Sequence, residues 1–363
     1  RNDLVKELQL VQGIVERKSS IPILSNVLAE ARGGELLISA TDLDVSLRCG
    51  CAAQVVEEGA VTLGAKKLYE IARSLPESDV RIKVEDDAWA RIRCERVDFK
   101  MAGLPREDFP SLPESRGGKG VDLPAGTLRS LVQRTAFAIT AEDARYYLAG
   151  ALLVLEKDAV AMVATDGHRL ACVSGKVARK PVEKEIRVIV PRKTMAELCR
   201  IDWEGAEEIL FGSHESRVFM KTARVTLVSN TVEGTFPAFE KVIPRENNKV
   251  LELGVQQFSD AVRRVSLLST ERSRAVKIAL QPGKIEVSSS NPEMGEARES
   301  VEVGYRGAEM EVGFNARYLL DFLGAVGGEK FSLHLKDEQT QGMMTPGAAG
   351  ETEYRYVVMP MRI

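Results

Sequence analysis

Apolar residues recur at helical spacing in six separate windows of the chain. The windows are residues 3–18, 64–74, 125–137, 191–200, 255–268 and 315–323. In each window an apolar side chain returns every three or four residues, which places these side chains on one face of a helix. Pro191 suits the first turn of one helix and Asn315 suits the N-cap of another. The pattern therefore predicts six amphipathic helices.

Between these windows apolar and polar residues alternate with a period of two. Examples are "VRIKVEDDAWARIRC" at 80–94 and "FSLHL" at 331–335. Such alternation predicts antiparallel strands that turn one face to a core and the other to water. Helices and antiparallel strands together indicate an α+β protein.

The helices and strands belong to a unit that is repeated three times. One set of matching stretches comprises "VTLGAKKLYEIAR" (61–73), "VIVPRKTMAELCR" (188–200) and "VGFNARYLLDFLG" (312–324). A second set has the same period and comprises "LISATDLDVSLR" (37–48), "AMVATDGHRLACV" (161–173) and "IEVSSSNPEMGEA" (285–297). With polar linkers at 113–120 and 244–249, the repeat predicts three domains of two helices each, at 1–120, 121–248 and 249–363.

Composition narrows the possible functions. Five cysteines, odd in number and scattered among 363 residues, suit a reducing compartment better than a disulfide framework. Three histidines that lie far apart in the sequence argue against a metal site built from histidine. No apolar run is long enough for a membrane span, and no signal-peptide pattern opens the chain. We expect no metal, no cofactor and no contact with a membrane.

Charge is segregated between the predicted helices and the rest of the chain. The six helix windows carry a net charge of +7, whereas the whole chain carries -3, so all other residues together carry -10. One interpretation is that Lys and Arg are simply good helix formers on solvated faces. The alternative is a continuous positive surface that contacts phosphates without reading bases.

The stretch "TDGHR" at 165–169 concentrates polar chemistry where a strand ends. Three interpretations are open: a hydrolase that uses Asp166 and His168, a turn that satisfies its own backbone, or a recognition site. No Gly-x-Ser-x-Gly motif, paired cysteine or phosphate-binding loop supports the hydrolase. The other two copies, "TDLD" and "SNPE", lack the His-Arg pair, and a structural requirement alone would not make the middle copy different.

Several motifs, taken in order, resemble the bacterial sliding clamps, the beta subunits of DNA polymerase III. They are the threefold repeat, "ATDGHRLA", "VPRK", "RYYL", "FP" at 236–237 and the terminal "VVMPMRI", and they cover nearly the whole chain. The resemblance implies the clamp fold, in which two three-domain chains join head to tail into a ring around duplex DNA. It also implies that the first strand precedes residue 1, so that several N-terminal residues are missing.

The same resemblance implies a non-catalytic processivity factor that is cytoplasmic and associated with the nucleoid. Its partners would be duplex DNA of any sequence, a second copy of the chain, the replicative polymerase, the clamp loader and repair proteins. The protein partners would carry short clamp-binding peptides. Besides a sliding clamp and a hydrolase, a third possibility for the whole chain is a monomeric repeat scaffold that binds peptides without encircling DNA.

Site residues follow from the resemblance, position by position. The peptide pocket would comprise Thr165, Gly167, His168, Arg169, Leu170, Pro237, Val242, Asn315, Tyr318, Val357, Val358, Met359, Pro360, Met361 and Arg362. DNA contacts would comprise Lys18, Arg145, Tyr146 and Tyr147. The dimer interface would comprise Phe99, Lys100, Leu267 and Leu268.

Helix charge adds further candidates for the DNA-facing surface. They are Lys66, Lys67, Arg73, Arg129, Arg134, Arg192, Lys193, Arg200, Arg263 and Arg264. The chain also departs from the family pattern at five positions, Glu142, Lys241, Ser273, Gln339 and Gln341. Lys241, Ser273, Gln339 and Gln341 predict a peptide pocket that is more polar on one side. Glu142 lies just before the "RYY" motif and weakens the DNA contact expected at its own position.

Overall fold

The structure is a computed structural model that describes residues 1–15, 20–113, 120–141, 143–177, 185–203, 205–348 and 350–362. The described residues divide into two compact units. The first unit contains Arg1–Ala125 and Lys193–Thr231, and the second contains Gly126–Val177, 185–192 and 232–362. The predicted central domain, 121–248, therefore contributes residues to both units. No helix in the described ranges is long and apolar enough to cross a membrane.

Six α-helices are present among the described residues, one in each predicted window. They are α1 (Asn2–Val11), α2 (Ala65–Ser74), α3 (Ala125–Thr135), α4 (Arg192–Arg200), α5 (Val255–Val265) and α6 (Ala316–Ala325). The predicted N-cap is confirmed, because the Asn315 side chain accepts a hydrogen bond of 2.9 Å from the backbone N–H of Arg317. Pro191 does not lie in the first turn of α4, which begins one residue later.

The first helix is shorter than predicted. It was expected to continue to residue 18, but α1 ends at Val11. Gly13 follows, and a Cβ atom there would lie 2.0 Å from Oε2 of Glu197 in α4. A larger residue there would displace the end of this side chain, and glycine itself disfavours a continued helix by about 1 kcal/mol.

Twenty-three strands are described, all in antiparallel ladders. In the first third of the chain they are β1 (Asn26–Arg32), β2 (Glu35–Thr41), β3 (Val45–Ala52), β4 (Gly59–Gly64), β5 (Arg81–Val84), β6 (Trp89–Cys94), β7 (Val97–Leu104) and β8 (Val121–Pro124). In the middle they are β9 (Gly150–Glu156), β10 (Ala159–Thr165), β11 (Arg169–Lys176), β12 (Ile186–Pro191), β13 (Glu208–His214), β14 (Arg217–Lys221) and β15 (Val225–Asn230). In the last third they are β16 (Lys249–Gly254), β17 (Ala275–Gln281), β18 (Lys284–Asn291), β19 (Gly295–Glu302), β20 (Met310–Asn315), β21 (Lys330–Leu335), β22 (Gly342–Pro346) and β23 (Glu353–Val358).

The strands form one sheet in the first unit and two sheets in the second. The first unit holds an eleven-stranded sheet in the order β5-β6-β7-β4-β1-β2-β3-β15-β14-β13-β8. The second holds an eight-stranded sheet, β12-β9-β10-β11-β23-β22-β21-β16, and a four-stranded sheet, β19-β18-β17-β20. Two of these sheets join strands of different predicted domains, through the pairs β3·β15 and β11·β23.

Helices cover the sheets with their apolar faces. In the first unit α1 packs against α2 and buries Leu4, Leu8 and Val11. In the second unit α5 packs against α6 and buries Phe258 and Val262 among other residues. The predicted amphipathic stripes are therefore the core faces of the helices, and their polar faces are left for solvent or ligands.

The turn after β2, residues 41–45, satisfies its own backbone. The Thr41 hydroxyl accepts a hydrogen bond of 3.0 Å from the N–H two residues further on. Oδ1 of Asp42 accepts from the N–H groups two and three residues further on, at 3.0 and 2.6 Å. Side-chain acceptors in this pattern stabilise a tight turn.

The turn after β10, residues 165–169, has the same hydrogen bonds. The Thr165 hydroxyl accepts at 3.0 Å from the N–H two residues on, and Oδ1 of Asp166 accepts at 3.0 and 3.1 Å from the N–H groups two and three residues on. The Thr-Asp part of the motif is thus structural and common to two copies. His168 and Arg169 are what distinguish the second copy.

The two turns differ in how easily their third residue adopts the left-handed conformation. Gly167 has φ of 88°, and Leu43 has φ of 79° although it carries a side chain. A left-handed residue other than glycine costs about 1–2 kcal/mol. The Leu43 side chain is 55% exposed, so little burial compensates for this strain.

Replacing Leu43 with glycine is therefore expected to stabilise the first unit by about 1 kcal/mol. Differential scanning calorimetry of the full-length chain measures the change. The matched control is Gly167→Ala, which places a β-carbon on a left-handed residue and should destabilise the second unit by about 1 kcal/mol. A Leu43→Gly variant that melts below the wild type contradicts the assignment of strain to this turn.

Candidate functional site

The C-terminal tail lies beside the turn at 165–169. Strand β23 pairs with β11, and beyond it the N–H of Met359 donates to the carbonyl of His168 at 2.9 Å. The N–H of Met361 then donates to the carbonyl of Gly313 in β20 at 2.8 Å. The tail therefore runs from the eight-stranded sheet to the four-stranded sheet, and it brings together three predicted segments. We call these the recognition site: the turn 165–170, residues 315–318 and the tail 357–362.

Four of the predicted pocket residues are buried beneath this surface. Leu170, Val357, Val358 and Arg169 are 3%, 1%, 0% and 7% exposed, respectively. Their side chains support the site from below. The exposed or half-buried members are Thr165, Gly167, His168, Pro237, Val242, Asn315, Tyr318, Met359, Pro360, Met361 and Arg362.

The second unit has two open cavities near the predicted pocket residues, and one of them is lined by the tail. One of about 960 Å³ is lined by Pro360, Met361 and Arg362 together with Ser273 and Gln339. The other, of about 530 Å³, has Val242, Lys241 and Gln341 in its wall. The four departures from the family pattern thus line these two cavities in pairs, and a pocket that is more polar on one side stays a prediction.

An apolar cluster comes to the surface at the second cavity. Half-buried Val242 and Ile243 pack on it, as do Tyr147 and Met343. Its fully buried members are Leu148, Leu152, Val154, Val163, Leu170, Ile189, Phe236 and Val357. An apolar floor beside polar walls is the usual composition of a pocket that binds a small ligand or a side chain.

Arg169 forms a buried cationic centre under the recognition site. Its Nε donates to Oδ2 of Asp166 at 3.0 Å, Nη1 donates to Oδ2 of Asp321 at 2.5 Å, and Nη2 donates to the carbonyl of Phe137 at 2.6 Å. The guanidinium also lies over the rings of Phe137 and Tyr318, with centroids at 5.4 and 4.4 Å. All three of its nitrogens are engaged within the chain, so Arg169, predicted as a residue of the pocket, is an internal support beneath it.

Two partners of Arg169 were not predicted from the sequence. Asp321 lies one turn after Tyr318 in α6, and Phe137 lies in the 3₁₀ turn Ala136–Ala138 that follows α3. Carboxylates are common on the solvent faces of helices, so nothing in the sequence pattern distinguished Asp321 as a partner of Arg169. Only the fold brings these residues to the turn.

Ionisation at this centre is fixed by its surroundings. Burial raises the pKa of the Tyr318 phenol, and the Asp166 carboxylate raises it further. Burial alone would lower the pKa of Arg169, but neighbouring Tyr356, Asp321 and Asp166 outweigh it, so that the pKa is raised. At neutral pH the site therefore presents a neutral phenol over a permanent cation.

The hydrolase interpretation finds no support in this geometry. A histidine base needs a group that orients its imidazole, but both oxygens of Asp166 are engaged by backbone N–H groups and by Nε of Arg169. Among the described residues no cluster of His, Cys, Asp or Glu could hold a metal ion.

Many of the basic residues predicted to face DNA have partners within the chain. Lys67, Arg200, Arg263, Arg264 and Lys193 pair with carboxylates of Glu70, Glu197, Asp260, Glu299 and Asp42, respectively. The Asp42 side chain is only 4% exposed, so Lys193 also serves to neutralise a buried charge. Arg134 donates to the Thr352 hydroxyl and the Val326 carbonyl, and Arg73 lies over the Tyr69 ring. Lys18 and Glu142 lie outside the described residues.

The "RYY" motif divides into three different environments. A Cβ atom on Gly167 would lie 2.3 Å from Nη1 of Arg145, so this guanidinium covers the recognition turn. Tyr146 is 60% exposed and meets Tyr147 edge-on at 5.7 Å, whereas Tyr147 packs on the apolar cluster. Tyr146 is thus the member of the pair that is free to stack on a base or sugar.

The predicted dimer residues lie at two sheet edges. In the first unit β7 pairs with β4 only at residues 103–104, so residues 97–102, which include Phe99, pair with β6 alone. In the second unit β19 is the outer strand of the four-stranded sheet. Near it Leu267 is 73% exposed and Leu268 is half-buried. This difference is expected if one of the two adjacent leucines packs in the core and the other contacts a partner chain.

Comparisons with known proteins agree on one family. The three domain models of the DNA polymerase III beta subunit match in order: the N-terminal domain at residues 1–113, the central domain at 122–238 and the C-terminal domain at 240–362. The chain is 39% identical to the beta sliding clamp of Pseudomonas putida over 100% of this chain and 98% of that protein.

Solved structures give the same result for the fold. The DNA polymerase III subunit beta of Pseudomonas aeruginosa is 38% identical, with a TM-score of 0.90 over 100% of this chain and 98% of that one. A sliding clamp of the same species bound to griselimycin is 37% identical, with a TM-score of 0.92 and the same coverage. The three α+β domains predicted from the repeats and the clamp fold implied by the resemblance are therefore confirmed.

The structural role of Asp166 can be tested by substitution. Asp166→Asn keeps one oxygen for the backbone but removes the charge beside Arg169, and a lost charge-assisted hydrogen bond should cost about 1–3 kcal/mol of stability. Asp42→Asn at the equivalent turn is the matched control, and it should destabilise the first unit similarly because it deprives Lys193 of its partner. Calorimetry measures both, and an unchanged melting temperature for Asp166→Asn would refute the structural role.

Proposed function

We propose that this chain, which belongs to the DNA polymerase III beta subunit family of sliding clamps, closes with a second copy into a ring around duplex DNA and tethers partner proteins at the recognition site. As a member of this family it is a non-catalytic processivity subunit. The observation that carries the tethering proposal is the tail at 357–362, which joins the two sheets of the second unit and lines an open cavity of about 960 Å³. In the cell the ring would act in the cytoplasm, at the nucleoid.

Free sheet edges support ring closure. An unpaired edge presents a row of backbone donors and acceptors that another strand can complete. We propose that the β19 edge of one copy joins the β7 edge of the next. The two edges are different surfaces, so the contact is head-to-tail and closes only if the rotation fits.

Charge favours the pairing of these two edges. Strand β19 carries three glutamates and one arginine, Glu296, Glu299, Glu302 and Arg298. The strands at the other edge, β5 to β7, carry Arg81, Lys83, Arg91, Arg93 and Lys100, against Asp98 on β7 and Glu85 in the turn after β5. Complementary potentials steer association and disfavour pairing of like edges.

Twelve helices from two copies would line the ring. Helices about 10 Å wide, placed side by side, set their axes on a circle about 38 Å across and leave a hole of about 28 Å. The hole would admit a duplex with room for water. Since topology retains the DNA, its contacts can be weak and independent of sequence.

The recognition site suits a short, extended peptide. Met359 and Met361 give an adaptable apolar lining, and His168 and Tyr318 give polar edges. We propose that docking peptides alternate apolar side chains with solvent-facing ones and carry a polar side chain near one end. A small site implies an affinity of about micromolar. Griselimycin, bound by the Pseudomonas aeruginosa relative, is proposed to bind this chain here as well.

The ring predicts a dimer that depends on the leucine pair. Leu267→Ala combined with Leu268→Ala should convert a dimer of 39.9 kDa chains into monomers at low micromolar concentration, because exposed apolar area would no longer be buried on association. Sedimentation velocity measures the mass. Val250→Ala, which truncates a 52% exposed side chain on β16, is the matched control and should leave the dimer intact. A double variant that still sediments as a dimer refutes this interface.

Peptide docking predicts that the tail is indispensable. Deletion of residues 359–363 removes both backbone bonds of the tail and should weaken binding of a fluorescein-labelled peptide of the proposed pattern by at least about tenfold. Fluorescence anisotropy measures the affinity, and sedimentation should show an intact ring. Met294→Ala, a 62% exposed methionine in the β18–β19 turn, is the control. Equal affinity for the deletion variant and the wild type rules out this site.

A further inference from the structure

We propose that Asp321 is a positioning residue of the recognition site, which acts through Arg169 to fix the ring of Tyr318. It would thereby set the affinity for the part of a docking peptide that lies against Tyr318. This inference rests on the proposed peptide-binding function, and it names a residue that touches no ligand.

The geometry makes a continuous connection from Asp321 to the Tyr318 ring. Oδ2 of Asp321 accepts from Nη1 of Arg169 at 2.5 Å, while Asp166 and the Phe137 carbonyl hold the other two nitrogens. A planar guanidinium held at three points has a fixed orientation. The Tyr318 ring rests on that plane with its centroid 4.4 Å from the central carbon.

The backbone of Tyr318 is anchored by one contact, and its ring lies over Arg169. The Tyr356 hydroxyl donates to the Tyr318 carbonyl at 2.9 Å, so the start of α6 is anchored independently of Asp321. The ring itself is half-buried, with one face on the cation. A cation beneath an aromatic ring contributes about 0.5–2 kcal/mol, enough to favour one ring orientation over others.

Asp321 is well placed to hold Arg169 and poorly placed to bind a ligand. Its side chain is 27% exposed, and the same oxygen that accepts from Arg169 lies 4.0 Å from Nε of Arg317. Two cations therefore already compensate this carboxylate. A partner peptide would meet the neutral Tyr318 phenol before it met Asp321.

The equivalent position in the first unit shows that the clamp fold does not require this connection. The sixth residue of α4 is Glu197, which pairs with Arg200 of its own helix at 2.6 Å. The third residue of α4 is Thr194, bonded to Ser229 at 2.6 Å, where α6 has Tyr318. Val45 begins β3 where Arg169 begins β11. The connection between carboxylate, arginine and aromatic ring is absent from that described copy, whose turn has the same backbone bonds.

A double-mutant cycle tests whether Asp321 acts through Tyr318. The probe is the labelled peptide of the proposed pattern, and the full-length protein is used throughout. Asp321→Asn should weaken binding about fivefold to tenfold, and Tyr318→Ala should weaken it at least as much. The double variant should bind no more weakly than Tyr318→Ala alone, because a residue that acts only through the ring has no effect once the ring is gone.

Two controls separate positioning from a general loss of structure. Asp260→Asn removes a similar helical carboxylate, paired with Arg263 in α5, and should change the affinity less than twofold. Asp321→Glu keeps the charge and should recover part of the affinity lost in Asp321→Asn. Calorimetry of each variant shows whether the second unit remains folded.

A second measurement examines the ring without any ligand. The chain has seven tyrosines, so incorporation of 3-fluorotyrosine gives a ¹⁹F spectrum in which the Tyr318 signal is identified by its loss in Tyr318→Phe. Asp321→Asn should shift or broaden this signal, and Asp260→Asn should not. If the wild type binds no peptide, the proposed function fails while this spectrum still decides the inference. Additive losses in the cycle, or an unchanged Tyr318 signal, overturn it.

Discussion

Antiparallel pairing between strands that are far apart in sequence is the interaction on which the second unit depends. Strand β11 pairs with β23, so that Arg169 lies opposite Val358, and the Met359 N–H continues the ladder to His168. Without this pairing the tail would have no fixed position and the recognition site would not exist. In the first unit β3 and β15 form the same kind of pair. Each of these two sheets thus joins strands of two repeats, because one repeat alone leaves strand edges unpaired.

The same pairing explains which features could be predicted from sequence. Helix windows were found because helical periodicity is local, and the Asn315 cap because it involves residues two apart. The end of α1 at Val11 was missed although Gly13 is a local signal against a helix, because the apolar spacing continues past it. The repeat revealed three domains but not the strand order within the sheets, since partners such as Arg169 and Val358, 189 residues apart, leave no mark on either strand.

At the site, residue types were easier to predict than their orientations. The sequence resemblance selected Arg169, His168 and the tail, and the structure brings these segments together. The sequence could not show that Arg169 points inward, because an arginine at the start of a strand can face either side of the sheet. Asp321 and Phe137 lie on ordinary helical and 3₁₀ surfaces, so their role depends wholly on which turn the fold places against them. Comparison of the turns at 41–45 and 165–169 was more informative than either turn alone. The hydrogen bonds of the Thr-Asp pair occur in both turns and therefore stabilise the backbone, whereas the His-Arg pair occurs only in the second turn.

Charge pairing bears on how a clamp of this kind could hold DNA. Several of the cations on the helices are compensated by nearby carboxylates, such as Glu70 beside Lys67 and Glu299 beside Arg264. These side chains are mostly exposed, so each pair contributes little to stability and can open for a phosphate. A lysine that must leave a carboxylate to bind a phosphate gains less binding free energy than an unpaired lysine. The affinity of each contact with DNA is lower for that reason. In the proposed ring that compensation favours movement along the duplex: the surface stays attractive to a polyanion, yet no single contact is strong enough to stop it.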